Sequence, residues 1–551
     1  MIADGFASAL SRAPAQDKAL LRSLLAAALG ALAFGVVAGA VVAATRAGAA
    51  APAPENGYRL LTSHGTAAFF YWLYFAQAAL LLALAMTHGR RRPALALRPL
   101  AWLGGALMLA GFAATQCATW LGPPLLYDGE PALAGESRAP ALLFYAGYLA
   151  LALGLAFAAL SAIATAVAGK REDGGAPWNA VAFGAVAWAG LILVSAVAVA
   201  NAFLPAALWA AGAGPLPADH STAWHILFHN LHYLPLMGTV LVWYALARDF
   251  TGGGSVFGER FSKIVFALYL VFVPPTSLYH MFLEPGLAPL VRALGSVLSL
   301  FVGVPTIAAF LVIAISLEAR ARAGGRRGAF GWLRALPWGQ PAADALAVAV
   351  LALALGGTFA FVLIQEKLAG LLSDTFFVPA YFHFLTVGTV SLTLLGGIAH
   401  ILPSLTGRAP PPRRLLRALP YAIGAALLVF ALAGVAGGLA GLPRRVLDAT
   451  YDGQAPAAWR AVSIALGTGG AAMAAGVLAY ALALLAGLAR FGAAAAPAPA
   501  HEAAPDAAAV GVAAWSAPAS VAVLVLAIYA ATALSFELIR ALPVVAAGSG
   551  H

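Results

Sequence analysis

Cysteine is almost absent, with Cys117 the single example in 551 residues. That excludes structural disulfides within the chain, a C-x-x-C-H covalent haem attachment, a thiolate-bridged copper pair and a four-cysteine iron–sulfur cluster. Any redox metal must then be held by His, Tyr, carboxylate or backbone. Charge is also scarce. Charged residues are 9% of the chain, and the 21 acidic residues are outnumbered by 31 Lys and Arg. With 62% hydrophobic residues and a mean hydropathy of +0.89, a soluble globule is excluded and a polytopic membrane protein is indicated. Long polar stretches are missing too. The longest gaps, at 46–60, 123–139, 318–341, 442–460 and 491–512, are too short for a soluble domain, so residues 1–551 read as a single membrane domain.

What the chain does have is apolar sequence in runs of about twenty residues or more, enough to cross roughly 30 Å of hydrocarbon. These runs fall near 19–45, 60–87, 99–122, 140–168, 179–208, 222–247, 262–283, 287–317, 342–364, 376–402, 417–441, 461–490 and 515–543. They predict an all-α polytopic protein with about thirteen transmembrane helices. Basic loop residues are retained on the cytoplasmic side. Arg12, Lys18, Arg22, Arg90 to Arg92, Lys170, Arg171, the 248–263 and 320–334 loops and Arg408 to Arg417 therefore predict a cytoplasmic N-terminus and an outer C-terminus, in a bacterial-type inner membrane. The net charge of +10 is a topology signal matched to the anionic inner leaflet, and it gives no reason to invoke nucleic acid. The first run reads as a retained helix, and 491–512 as a flexible cytoplasmic linker before the last helix.

Six of the eleven histidines, His64, His225, His229, His232, His280 and His383, lie within or at the ends of these runs. An ionisable ring at membrane depth is costly to bury and is rarely kept without a partner. Haem iron is the partner expected here, because one neutral imidazole from each of two helices can clamp a porphyrin. His64 opens the second run with Gly65 beside it, and small residues let a flat macrocycle come close. His383 opens the tenth run at a comparable depth, so the two can share one iron as a six-coordinate, low-spin haem that carries electrons and has no open position.

His225, His229 and His232 are spaced i, i+4 and i+7, on one helical face. The outer two stand about 10 Å apart along the axis, so at most two serve one metal, the others being left to interhelical hydrogen bonds and a wet entry route. His280 matches the depth of His229. A metal shared between those two helices is geometrically reasonable, imidazole suiting copper, iron or zinc.

From about residue 58 to 450 the chain resembles subunit I of the heme-copper oxygen reductases, and among them the B-family (ba-type) cytochrome c oxidases with thirteen spans. The resemblance is strongest at Phe330 to Trp338 (FGWLRALPW), Ser296 to Pro305 (SVLSLFVGVP), Leu402 to Gly407 (LPSLTG) and Pro443-Arg444-Arg445. It implies that His64 and His383 are the axial ligands of a low-spin haem b and that Arg444 and Arg445 bind haem propionates, a task for which the guanidinium fork is suited. It implies that His229 and His280 bind copper, that Tyr233 supplies an electron and a proton, and that Tyr244, Ser296 and Ser299 line a proton path. It also implies a small subunit II-like partner with an outer electron-accepting domain, and cytochrome c or a similar electron donor.

The departures from that pattern are equally specific. Tyr279-His280 stands where the family has a His-His pair, and Tyr381 stands where it has the ligand of a second, high-spin haem. Ala369 and Ser373 stand where propionate partners are expected. One reading is an oxidoreductase in which Tyr381 binds the second iron as phenolate and His229, His280, and His225 or Tyr279, hold copper or non-haem iron. A second is an electron-transfer or assembly subunit that has kept only the low-spin haem. A nitric oxide reductase-like enzyme is a minor alternative.

Overall fold

The computed structural model describes residues 5–274, 288–363, 366–446, 453–489 and 514–540. Among them the regular structure is helical. Eleven helical stretches are long and apolar enough to cross a membrane. A bilayer offers no water to backbone N–H and C=O groups, so a spanning segment must satisfy them internally. A short helix, α1 (Phe6–Ser11), precedes α2 (Ala15–Arg46). The second span comprises α3 (Pro54–Gly65), a π-helical segment at Thr66–Tyr71 and α4 (Trp72–Gly89). Then follow α5 (Arg98–Leu121), α6 (Arg138–Glu172), α7 (Ala180–Ala210), α8 (His220–Thr251), α9 (Gly258–Phe272), α10 (Pro289–Phe301) and α11 (Val304–Ala323). The remainder is α12 (Pro341–Leu363), α13 (Glu366–Leu372), α14 (Phe377–His383), a second π-helical segment at Phe384–Ser391, α15 (Leu392–Thr406), α16 (Arg413–Leu439), α17 (Ala457–Leu488) and α18 (Ser516–Arg540).

The thirteen expected spans map onto these eleven stretches and two further helices. The run at 262–283 begins in α9, which is described for 15 residues, and the run at 515–543 is α18. The run at 287–317 is broken into α10 and α11 at Val302 and Gly303. The proposed linker 491–512 lies outside the described residues.

The centre of the bundle is α4, where every residue from Trp72 to Met86 is buried. A helix apolar all round is one surrounded on all sides by others. Small residues let neighbours close in. Between α5 and α6, a Cβ on Gly104 would stand 2.5 Å from the Gly154 carbonyl oxygen, and one on Gly111 would stand 2.6 Å from that of Gly147. These paired glycines allow backbone-to-backbone packing, which drives helix association where lipid removes any hydrophobic incentive.

Buried carboxylates fix the ends. The Asp249 carboxylate at the end of α8 accepts from the backbone N–H groups of Phe6 and Ala7 and from His400 Nε2 at 2.8 Å, tying α1 to α8 and α15. Glu318 on α11 accepts from Trp515 N, Ser516 N, Ser516 Oγ, Ala517 N and Arg322, and so caps α18.

Candidate functional site

His64 lies on the last turn of α3, and His383 is the last residue of α14. Each leads into a π-helical segment, His383 directly and His64 through Gly65. Segments of this kind recur at functional sites, and an inserted residue turns all following side chains by about 100°. Threonine hydroxyls in both bond back to the chain. Thr66 donates to the Thr62 carbonyl at 2.8 Å, Thr386 to that of Phe382 at 2.8 Å, and Thr389 to that of Phe384 five residues earlier at 3.2 Å. Such bonds compete with the helical ladder and loosen it. Where the two spans regain α-helical geometry they are joined, Trp72 Nε1 donating to Ser391 Oγ at 2.9 Å.

The imidazoles of His64 and His383 have ring centres 6.3 Å apart and planes 12° from parallel. An imidazole nitrogen binds a first-row metal at about 2.0–2.1 Å, and the ring centre lies roughly 1 Å farther out, so two trans rings on one iron stand roughly 6 Å apart. The observed gap matches. His64 Nδ1 donates to the Gly35 carbonyl oxygen at 2.8 Å, and His383 Nδ1 to that of Pro379 at 2.7 Å. Each bond selects the tautomer whose Nε2 carries the lone pair.

Both rings line one cavity of about 250 Å³ whose walls include Val36, Phe376, Phe430 and Met473, with Arg46, Arg444 and Arg445 also lining it. Arg445 pairs with Asp128 at 3.0 Å, donates to Tyr127 OH at 3.3 Å and sits over the Tyr127 ring. Arg444 pairs with Asp374 at 3.1 Å, and Arg46 donates to the Arg444 carbonyl at 2.7 Å. Apolar walls, two ring nitrogens and a cluster of guanidiniums form a lining whose chemistry fits a haem.

Sequence reasoning missed several of these residues. Arg46, Tyr127, Asp128 and Asp374 are contributed by loops or helix ends, and Gly35 acts through its backbone; Asp374 follows directly on Ser373. Gly65 lines the cavity, but its missing side chain makes room for Tyr127, whose ring lies 3.1 Å from where a Cβ would be. The glycine that makes room for the His64 ring is Gly39 on α2, where a Cβ would lie 2.5 Å from His64 Nδ1.

Among the described residues, the other candidates do not come together in one centre. His229 is buried, bonds through Nε2 to the Val273 carbonyl at 3.0 Å and stands 4.9 Å from the Tyr233 ring. His232, though on the same sequence stripe, packs among Phe69, Phe228 and Phe382. His225 is half-buried. Tyr279 and His280 lie outside the described residues. Among the described residues, no three His, Cys, Asp or Glu converge as a metal site. Tyr381 is buried in an apolar cluster with Val362, Leu368, Leu372 and Phe377, and it also lines the cavity between the two haem-ligand candidates. Tyr244 packs against Phe266 and lines a small separate cavity with Glu259, Ser316 and Arg320. Ser296 and Ser299 belong to α10, and their side chains lie outside the described residues.

Comparison with known proteins gives the family and the fold. The family described as Cytochrome C and Quinol oxidase polypeptide I matches residues 19–472. A cytochrome c oxidase subunit 1 from Thermus thermophilus is 32% identical over 233 residues, 42% of this chain and 41% of the relative. The match thus spans less than half of that relative's length. A second cytochrome c oxidase subunit 1 from Thermus thermophilus is 36% identical over 76 residues, 14% of this chain and 70% of the relative. A heme-copper terminal oxidase dimer solved by cryo-EM superposes with a TM-score of 0.79 at 20% identity, covering 95% of this chain and 92% of that one. At that identity the likeness establishes the fold.

Proposed function

The chain belongs to the cytochrome c and quinol oxidase polypeptide I family, and on that basis we propose that it is the haem-bearing membrane subunit of a respiratory terminal oxidase of the B-family (ba) type, a single membrane domain of the bacterial inner membrane with its N-terminus inside. The observation that carries this reading is the pair of near-parallel imidazoles, His64 and His383, 6.3 Å apart across an apolar cavity.

When bound there, a haem b supplies a one-electron carrier. His64 and His383 would hold its iron between them, leaving the group to pass electrons rather than bind substrate. The Gly35 and Pro379 carbonyls hold the two rings in the ligating tautomer and raise their donor strength. Arg444 and Arg445 neutralise propionates at the edge of the cavity. In this reading electrons arrive from cytochrome c or a similar donor through a subunit II-like partner. His229, His280, and His225 or Tyr279 would hold copper or non-haem iron at a second centre, where Tyr381 would bind the iron of a second haem as phenolate and the pair would supply the reduction chemistry. Tyr233, next to His229, is the proton and electron source there, and Tyr244, Ser296 and Ser299 serve the path from the inner face. The substrate is dioxygen, with nitric oxide the minor alternative.

A second reading, an electron-transfer or assembly subunit that kept only the low-spin haem, is favoured by one observation. Tyr381 is packed among Val362, Leu368, Leu372 and Phe377. Pyridine haemochrome analysis of the purified complex separates the two readings. Two haems per chain support the oxidase and one supports the electron-transfer subunit, whereas no haem at all overturns both.

A further inference from the structure

At the end of the bundle that carries Arg90 to Arg92, the ends of α6, α7 and α9 enclose a groove of about 540 Å³ lined by Lys170, Pro177, Trp178, Phe183, Arg260, Lys263, Ile264 and Ala267. It shares no lining residue with the cavity of His64 and His383, and neither the proposed electron path nor the proton path uses it. Three features set its chemistry.

First, it concentrates cations whose carboxylate neighbours are engaged elsewhere. Glu172 pairs with Arg90, Asp173 with Arg91, and Glu259 accepts from the backbone N–H of Ala180. Among the described residues no ion pair joins a carboxylate to Lys170, Arg260 or Lys263. The two ammonium groups are steered by carbonyls instead. Lys170 Nζ donates to Gly175 and Ala176 at 2.8 and 2.6 Å, and Lys263 Nζ donates to Trp178 at 3.1 Å. Lys170 therefore keeps one N–H and Lys263 two.

Second, the Trp178 indole N–H is buried with no acceptor among the described residues, while Lys170 lies 5.9 Å from the ring centre. A buried donor without an acceptor costs free energy unless a ligand or water supplies one. Third, the charge is confined to the helix ends. Beyond Lys263 the face of α9 is apolar and open, with Ile264 51% exposed and Val271, two turns farther on, 59% exposed. Anion-binding groups above an exposed apolar track match one amphipathic molecule.

We propose that this groove is a specific site for an anionic phospholipid, its phosphate held by Lys170, Arg260, Lys263 and the Trp178 N–H and its acyl chain laid along Ile264 and Val271. Basic pockets between transmembrane helices on the basic face are suited to such headgroups, and Trp belongs at that interface. The lipid pins α6, α7 and α9 together at the face where Tyr244 and Glu259 line the neighbouring small cavity.

The test is native mass spectrometry of the purified complex released from phosphatidylcholine nanodiscs made with and without phosphatidylglycerol. The expected result is one phosphatidylglycerol retained per chain, not displaced by phosphatidylcholine or by inorganic phosphate. That lipid should be lost in a Lys170→Gln, Arg260→Gln, Lys263→Gln variant that keeps the wild-type haem spectrum, and its retention should fall several-fold in Trp178→Phe. Equal retention of the neutral lipid, displacement by inorganic phosphate, or unchanged lipid stoichiometry in the triple variant would overturn the assignment. Should the triple variant fail to assemble, Trp178→Phe and the lipid competition decide alone.

Discussion

His64 Nδ1 sits 2.8 Å from the Gly35 carbonyl oxygen, one helical turn from Gly39, whose missing side chain leaves the imidazole its place against α2. The first membrane helix, which carries no ligand of its own, thus sets the ring's height and tautomer. Both glycines are needed for a backbone group to come this near.

Gly39→Ala places a methyl 2.5 Å from His64 Nδ1 and must displace the ring. Partners behind a ligand typically change metal affinity by about 10–100-fold. Haem content per chain should fall on that scale, and the low-spin optical band should shift in what remains. A haem content and spectrum identical to wild type would show that α2 does not position the ligand.

Loss of either imidazole is expected to be far more severe. His64→Ala or His383→Ala leaves one axial position open. The low-spin electron paramagnetic resonance signal should disappear in each case, with turnover by the physiological donor dropping below detection. A persistent bis-imidazole signal in either variant would locate the haem elsewhere.

Arg445 is poised between Asp128, Tyr127 and the cavity. Arg445→Gln removes a charged hydrogen-bond donor, worth about 1.5–3 kcal/mol where its partner is charged. Haem retention should weaken by about tenfold or more. Asp128→Asn leaves the guanidinium available and should weaken retention less. Spectrophotometric haem loss to apomyoglobin ranks the two, and the reverse order would assign the propionate role to Asp128's neighbourhood rather than to Arg445.

Glu318 is the sole side-chain cap of α18 among the described residues, accepting from three consecutive backbone amides and from Ser516 Oγ. Glu318→Ala strands these donors and the Arg322 guanidinium, at a cost of about 1–3 kcal/mol or more. The detergent-solubilised protein should unfold at a lower temperature and be cut more readily near residue 514, while its haem spectrum stays intact. Unchanged protease sensitivity would mean that α18 is held by its apolar face instead.

The helical architecture and the meeting of His64 with His383 were legible in the sequence. Apolar lengths near twenty residues admit few alternatives, and the expected spans appear as helices, apart from the break at Val302 and Gly303 that divides α10 from α11. His64 and His383 could be paired because both open spans running in the same direction. The stripe of His225, His229 and His232 was less informative. It gave the right helix but not its neighbours, so His229 turns to the Val273 carbonyl while His232 enters an aromatic cluster. Asp374 and Tyr127 carried no local pattern that would single them out, since each acquires its role from an arginine far away in the chain.

By itself the chain's composition and apolar spacing determined a bundle of membrane helices with two histidines at matching depth, because a bilayer forces each segment to satisfy its own backbone and makes every buried ionisable ring conspicuous. Tertiary structure alone decided that those rings lie parallel at a metal-spanning distance, that the Gly35 and Pro379 carbonyls choose their tautomers, and that Asp128, Tyr127 and Asp374 meet the arginines. The physical reason is that these relations depend on close helix contacts at small residues and on the turn imposed by two π-helical segments, and neither is written in the periodicity of a single helix.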